Sequence, residues 1–213
     1  MEILDYDELY KIQDKVMELV FSFNNEFYLT GGTCLSRFYF PKRYSDDLDF
    51  FSNNYNHFAY DIKKIKNILS KNFALQVSVE SKDFVRLILD NTLQVDFVND
   101  RVPRYKEPKY LSNGFVIDNV ENILSNKITA VLGRDDPKDI FDIYLIWKNH
   151  TFNWSDILNS AQEKMSFALE DLVARLKGFP ENLLSKIKLI DKDFLANFSS
   201  DFQIIISEIA VTE

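Results

Sequence analysis

The stretch LTGGTCLSRFYFPKRYSDDLDF, Leu29 to Phe50, joins a Gly-Gly turn to a closely spaced carboxylate pair. Asp47 and Asp49 flank Leu48 and are followed by Phe50 and Phe51, so on an extended strand both carboxylates project from one face. Asp46 points to the opposite face and is given no ligand role. Two carboxylates set this way suit Mg²⁺, a hard cation usually held by one or two carboxylates together with substrate phosphates. Upstream, Phe27–Thr30 reads as a short buried strand, Gly31-Gly32 allows approaches that a Cβ blocks, and Thr33 is placed to cap a helix. A phosphate lying against the free N–H groups of such a turn would also meet the favourable end of the helix dipole. The spacing is that of neither a P-loop nor a dinucleotide fingerprint, and Gly-Gly alone marks an ordinary strand-to-helix turn. Its proximity to the aspartates is what points to nucleotide chemistry.

Gly31-Gly32-Thr33-x-Leu35, followed by Arg43-x-Ser45-x-Asp47-Leu48-Asp49-Phe50, resembles the signature of the polymerase-β-like nucleotidyltransferases in the form carried by the AbiEii/AbiGii toxin family. Members of that family are toxins of bacterial toxin–antitoxin and phage-defence systems. The resemblance implies a third carboxylate from a later apolar strand, supplied here by Asp96 within LQVDFV, Leu93 to Val98. It further implies a downstream block in which Lys127 is followed by Arg134 and then by Pro137-Lys138-Asp139-Ile140-Phe141-Asp142. The likeness therefore runs from about Tyr28 to Ile146. Lys138 stands where Arg is more usual, which loses a bidentate fork and keeps the charge. The chain is also shorter than many members, so its acceptor is not inherited with the motif.

The implied roles are specific. Asp47, Asp49 and Asp96 hold two Mg²⁺ ions, and Gly31, Gly32, Thr33, Arg43, Ser45, Lys127 and Arg134 bind the NTP. Lys127 and Asp139 join the three aspartates as catalytic residues, with the choice between Asp139 and Asp142 left open. Lys127 and Arg134 lie seven apart, about two helical turns, and would share a face toward triphosphate oxygens. Asp139 and Asp142, three apart, share a face of the next helix. The plainer alternative for all four is a set of surface ion pairs of little energetic weight.

At 213 residues with 46% hydrophobic content, the chain holds one large domain or two small lobes around a sizeable core. No apolar run approaches a membrane span and the N-terminus has no basic-then-apolar leader, which predicts a cytoplasmic protein. The single cysteine, Cys34, excludes an internal disulfide and a thiolate zinc cluster. His57 and His150 have no second ligand at metal spacing, and no Gly-x-Ser-x-Gly elbow is present. A net charge of −8 argues against a nonspecific nucleic-acid coat, which relies on clustered cations. A local basic groove is the exception: Arg101, Arg104, Lys106 and Lys109, interleaved with Tyr105 and Tyr110, would hold RNA by phosphate contact and stacking, or form a solvated loop.

Apolar periodicity predicts helices over about 6–24 and 57–71, with strands over 47–51, 74–80, 84–89 and 93–98 and a hairpin turn at Asp90-Asn91. From Val120 on the pattern is helical, broken at Gly178-Pro180. The fold expected is α+β: a polymerase-β-like nucleotidyltransferase lobe over residues 1–112, a mixed sheet with flanking helices, followed by a helical lobe over 113–213. Three functions are compatible with these residues. The first, implied by the family resemblance and preferred, is a toxin that transfers a nucleotide from an NTP to RNA, such as the 3′ end of tRNA, and is restrained by a cognate antitoxin. The second uses the same core on a small molecule or a protein hydroxyl. The third is a catalytically inactive nucleotide-binding or interaction module, against which the presence of all three carboxylates weighs.

Overall fold

A computed structural model describes residues 5–212. The chain packs as two compact units that interleave in sequence. The first contains the described residues up to Cys34, Ser45–Arg101 and Pro108–Asp118; the second contains Leu35–Tyr44, Val102–Glu107 and the described residues from Asn119 on. The division expected at residues 112/113 was a single cut. Here the segment between the Gly-Gly turn and the Asp pair belongs to the helical unit.

The first unit opens with helix α1 (Tyr6–Val20), whose cap Asp5 accepts from the N–H groups of Asp7 and Glu8. Strand β1 (Tyr28–Thr30) runs directly into a helical turn, α2 (Gly31–Cys34); the π-helical turn that follows it in sequence, Leu35–Tyr39, belongs to the second unit. Strand β2 (Leu48–Asn53), helix α3 (Phe58–Leu69), strands β3 (Leu75–Glu80), β4 (Phe84–Leu89) and β5 (Leu93–Asp100), and the short strands β6 (Lys109–Tyr110) and β7 (Val116–Ile117) complete it. The seven strands form one sheet in the order β3-β4-β5-β2-β1-β7-β6. It is mixed: β2 runs parallel to β5 and β1 to β7, and the other neighbours are antiparallel.

Alternation along these strands decides the two faces. Leu29, Leu48, Phe50, Val85, Leu87, Leu89, Leu93, Val95 and Phe97 are all buried. Helices α1 and α3 contribute Leu9, Val16, Met17, Val20, Ile62, Ile65 and Leu69 to the same core. Phe50 and Phe97 stack with centroids 5.2 Å apart, and Phe27 meets Phe97 edge-on at 5.2 Å. The opposite face is left to polar chemistry. The hairpin turn is where the sequence puts it, with Asp90 and Asn91 both at positive φ.

The second unit is helical: α4 (Val120–Gly133), α5 (Pro137–Asn149), α6 (Trp154–Lys164), α7 (Leu169–Lys177) and α8 (Phe198–Ala210). Asn119, Asp136 and Asn153 cap α4, α5 and α6 with side-chain hydrogen bonds. Helix α5 is its centre, since every residue from Asp139 to Ile146 is buried. Two 3₁₀ turns, Glu181–Lys186 and Lys192–Leu195, divide the C-terminal helical region further than the single break expected at Gly178-Pro180. Among the described residues, no helix is long and apolar enough to cross a membrane.

Candidate active site

Sheet register assembles the first half of the site. Directly paired residues point to the same side of a sheet, and one row crosses four strands: Thr30 opposite Asp49, Asp49 opposite Asp96, Asp96 opposite Arg86. All four lie on the face opposite the Phe50–Phe97 core. Beyond Thr30 its hydroxyl donates to Asp118 Oδ2 at 2.6 Å, which extends the polar row to the residue after β7. Asp118 is fully buried, as is Cys34, whose thiol is pushed well up by burial and by the Asp118 charge. Cys34 is thus a structural thiol.

Gly31 is fixed by two independent constraints. Its φ is +71°, and a Cβ there would lie 2.5 Å from Asp49 Oδ2. The carboxylate therefore rests against the bare Cα of the turn. Thr33 and Ser45, expected to touch nucleotide, are buried and bind each other through their hydroxyls at 2.8 Å. Thr33 also donates to the Asp47 carbonyl at 2.5 Å, while Gln13 Nε2 donates to the Ser45 carbonyl at 3.1 Å and Tyr10 accepts from the Ser45 N–H at 3.2 Å. These bonds tie the Gly-Gly turn to the aspartate segment. Gly32, next in the turn, is buried.

Asp47 and Asp49 are half-buried, and Asp96 is buried. Among the described residues the Asp47 carboxylate has neither hydrogen-bond nor ion-pair partner, an arrangement that leaves it available to a cation. The donor set is hard oxygen only, as a divalent ion of the Mg²⁺ type requires. No three acids, histidines or cysteines among the described residues converge into a ready metal cage. Within the row, Arg86 holds Asp96, with Nε 2.8 Å from Oδ1 and Nη2 2.6 Å from Oδ2. The residues fit a divalent cation once Asp96 is released from that pair.

The downstream block forms a second constellation within the helical unit. Asp139 and Asp142 are both fully buried on α5. Lys127 Nζ bridges them at 2.8 Å to each. Arg43 forks onto Asp142, Nε to Oδ1 and Nη2 to Oδ2 both at 2.8 Å, and Arg134 forks onto Asp139 at 2.6 and 3.0 Å. Burial alone would raise the Asp142 pKa, but Arg43 and Lys127 overcome it and hold the carboxyl at about 2. Asp139 is likewise lowered: burial opposes, Lys127 and Arg134 win. Lys127 stays above its ordinary value against burial, because both carboxylates face it. Arg134 is the exposed member, at 59%. Isolated surface pairs, the plainer alternative for this block, do not describe it.

The expected basic groove is largely neutralised in the structure. Arg101 pairs with Asp83, Arg104 with Glu107 and Lys106 with Glu121. Arg86, Thr30 and Asp118 are the residues that sequence reasoning passed over.

A profile of the family described as "Nucleotidyl transferase AbiEii toxin, Type IV TA system" matches residues 18–209. The chain belongs to this family. As an AbiEii-type protein it is a nucleotidyltransferase, and its family implies a nucleotide substrate and an antitoxin partner. A curated relative, the uncharacterized protein aq_aa25 of Aquifex aeolicus (strain VF5), is 28% identical over 160 residues, 74% of this chain and 76% of the relative. Two solved structures share the fold. MenT4, a nucleotidyltransferase toxin of Mycobacterium tuberculosis H37Rv, superposes with a TM-score of 0.64 at 14% identity, covering 98% of this chain and 85% of that one. JHP933 of Helicobacter pylori gives 0.57 at 21% identity, covering 97% and 89%. The AbiEii-type chain thus has the polymerase-β-like α+β architecture that its sequence predicts.

Proposed function

We propose that this AbiEii-type toxin is an Mg²⁺-dependent enzyme that transfers a nucleotide from an NTP to an RNA hydroxyl, the 3′ end of a tRNA, in the cytoplasm, under restraint by a cognate antitoxin. The observation that carries the chemistry is the Asp49–Asp96 register pair, with Asp47 beside it and Gly31 cleared against Asp49. Asp47, Asp49 and Asp96 would hold the cation, which neutralises phosphate charge and assists departure of pyrophosphate. The chain's own groups do the rest. The Gly31-Gly32 turn admits the phosphates, the Thr33–Ser45 bonds fix the turn, and Asp96 accepts the proton of the acceptor hydroxyl. The acceptor oxygen bonds to the α-phosphorus as the bond to the β-phosphate bridge breaks and pyrophosphate leaves. Positioning and charge supply the rate, since the chemistry asks little covalent help of the protein.

In the helical unit, the family resemblance assigns Lys127 and Arg134 as nucleotide contacts, and Asp139, which binds both, orients them. Arg43 is 2% exposed and committed to Asp142, which favours a positioning role for it over direct nucleotide contact. The RNA acceptor is supported by the toxin family. The neutralised 101–107 segment and the charge of −8 favour a second reading, a small-molecule or protein hydroxyl.

Transfer from each α-labelled NTP with Mg²⁺, onto total bacterial RNA, onto the protein itself and onto a panel of small hydroxyl acceptors, tests both readings. Wild type should label one RNA band, and Asp47→Ala/Asp49→Ala should abolish it by at least about 1,000-fold, the scale at which catalytic metal sites contribute. Near wild-type transfer by the double variant would sink the carboxylate assignment. Label confined to another acceptor would select the second reading.

A further inference from the structure

Arg86 stands opposite Asp96 in the β4/β5 register and occupies both oxygens of the carboxylate expected to complete the cation site. Gln94 adds a third donor to Oδ2 at 3.3 Å. A guanidinium fork is the strongest pairing a carboxylate makes with a side chain, and a divalent cation needs the same lone pairs. The pair is nonetheless placed to open. The Arg86 side chain is 36% exposed, and its guanidinium already lies 5.5 Å from the centroid of Phe84, two residues away on the same strand face. Asp49 and Asp47 add attraction at Arg86 beyond that of Asp96. The guanidinium thus binds Asp96 directly and lies within the field of Asp49 and Asp47.

We propose that Arg86 is an exchangeable counterion of the carboxylate set: it holds Asp96 while no cation is bound, and a divalent cation takes Asp96 by displacing it. The inference rests on the carboxylates being the cation site proposed above. Its consequence is competition: apparent cation affinity falls by the fraction of molecules in which Arg86 keeps Asp96. Arg86 is thereby a positioning residue that sets the cation concentration at which the site assembles.

The test is calorimetric titration of the whole protein with Mn²⁺, without nucleotide, comparing wild type, Arg86→Gln, Arg86→Lys and Asp47→Ala/Asp49→Ala, with thermal melting as the check on folding. Arg86→Gln should bind Mn²⁺ about tenfold tighter, the scale of one strong charge-assisted pair. Arg86→Lys, which keeps charge and loses the fork, should lie between. If Arg86→Gln fails to fold, Arg86→Lys still decides. Affinity unchanged or weakened in a folded variant overturns the inference, because Arg86 then merely orients Asp96 for the ion. Equal Mn²⁺ binding by wild type and the double aspartate variant, or none by either, overturns the carboxylate reading and this one with it.

Discussion

At the scale of the residue, the site depends on atoms that are missing as much as on those present. Gly31 at φ +71° places a side chain in a region costly to L-residues, and its absent Cβ is the space that Asp49 Oδ2 fills. Gly31→Ala should therefore act twice: about 1 kcal/mol of backbone strain, and displacement of Asp49 by a fraction of an ångström or more. Misplacement near 1 Å costs on the order of 100-fold in rate. We expect kcat to fall by about that factor while the melting temperature drops only a few degrees. Measurement of both on one preparation decides: loss of stability with retained kcat would show that Asp49 adapts. The two-residue spacing of Asp47 and Asp49 is written directly in the sequence, although β2 begins only at Leu48 and leaves Asp47 just before it, and Asp96 is reached through the family resemblance. The inward turn of Thr33 and Ser45 was not legible, since a hydroxyl that binds phosphate and one that binds its neighbour look alike in a motif.

At the scale of the element, register carries the information that motif reading passes over. Val85, Leu87 and Leu89 face the core together with Leu93, Val95 and Phe97, and that alternation pairs Leu89 with Leu93 and Arg86 with Asp96. A two-residue turn at Asp90-Asn91 would instead set Arg86 against Val95 and bury its charge. Thr92 is the extra loop residue that avoids this, so the signal for Arg86 was present and required counting rather than pattern matching. Helix α5 shows the converse. Asp139 and Asp142, three apart, read as a functional pair with surface ion pairs as the plainer alternative; the helix is enclosed, both are fully buried, and Arg43, distant in sequence, joins the network. Asp142→Asn leaves Arg43 and Lys127 facing an amide. Removing one partner of a buried ionic set costs about 3–5 kcal/mol, and chemical denaturation should show a loss of that size. A loss under about 1 kcal/mol would place this network in solvent, contrary to its burial.

At the scale of the whole molecule, the two units are not two consecutive pieces of sequence, and that is the part of the fold least visible beforehand. Strand and helix periods give the elements, but membership of a unit is set by contacts such as Arg43 with Asp142, 99 residues apart. The same contact bears on the response to acid. Asp142 is held at about 2 in the fold, against about 3.9 in an unfolded chain. A depressed carboxyl contributes stability that is present above the unfolded value and is lost as pH falls through the folded one. The window is therefore from about pH 4 down to about pH 2, and the contribution at stake is about 3 kcal/mol. Asp139, also lowered, adds in the same sense. Lys127 acts at the other end: its raised value makes its stabilisation complete below its ordinary pKa and lost only in strong alkali. Between pH 7 and pH 5 the net charge of −8 begins to be neutralised, which relieves self-repulsion rather than breaking the network. Thermal melting across pH should accordingly hold level or rise slightly from pH 7 to about 5 and fall steeply below about 4. In Asp142→Asn the whole curve should lie lower and the acid limb should be shallower, because the amide has no proton to gain. An acid limb equally steep in that variant would assign acid unfolding to other carboxylates and leave Asp142 without the linkage that its buried partners impose.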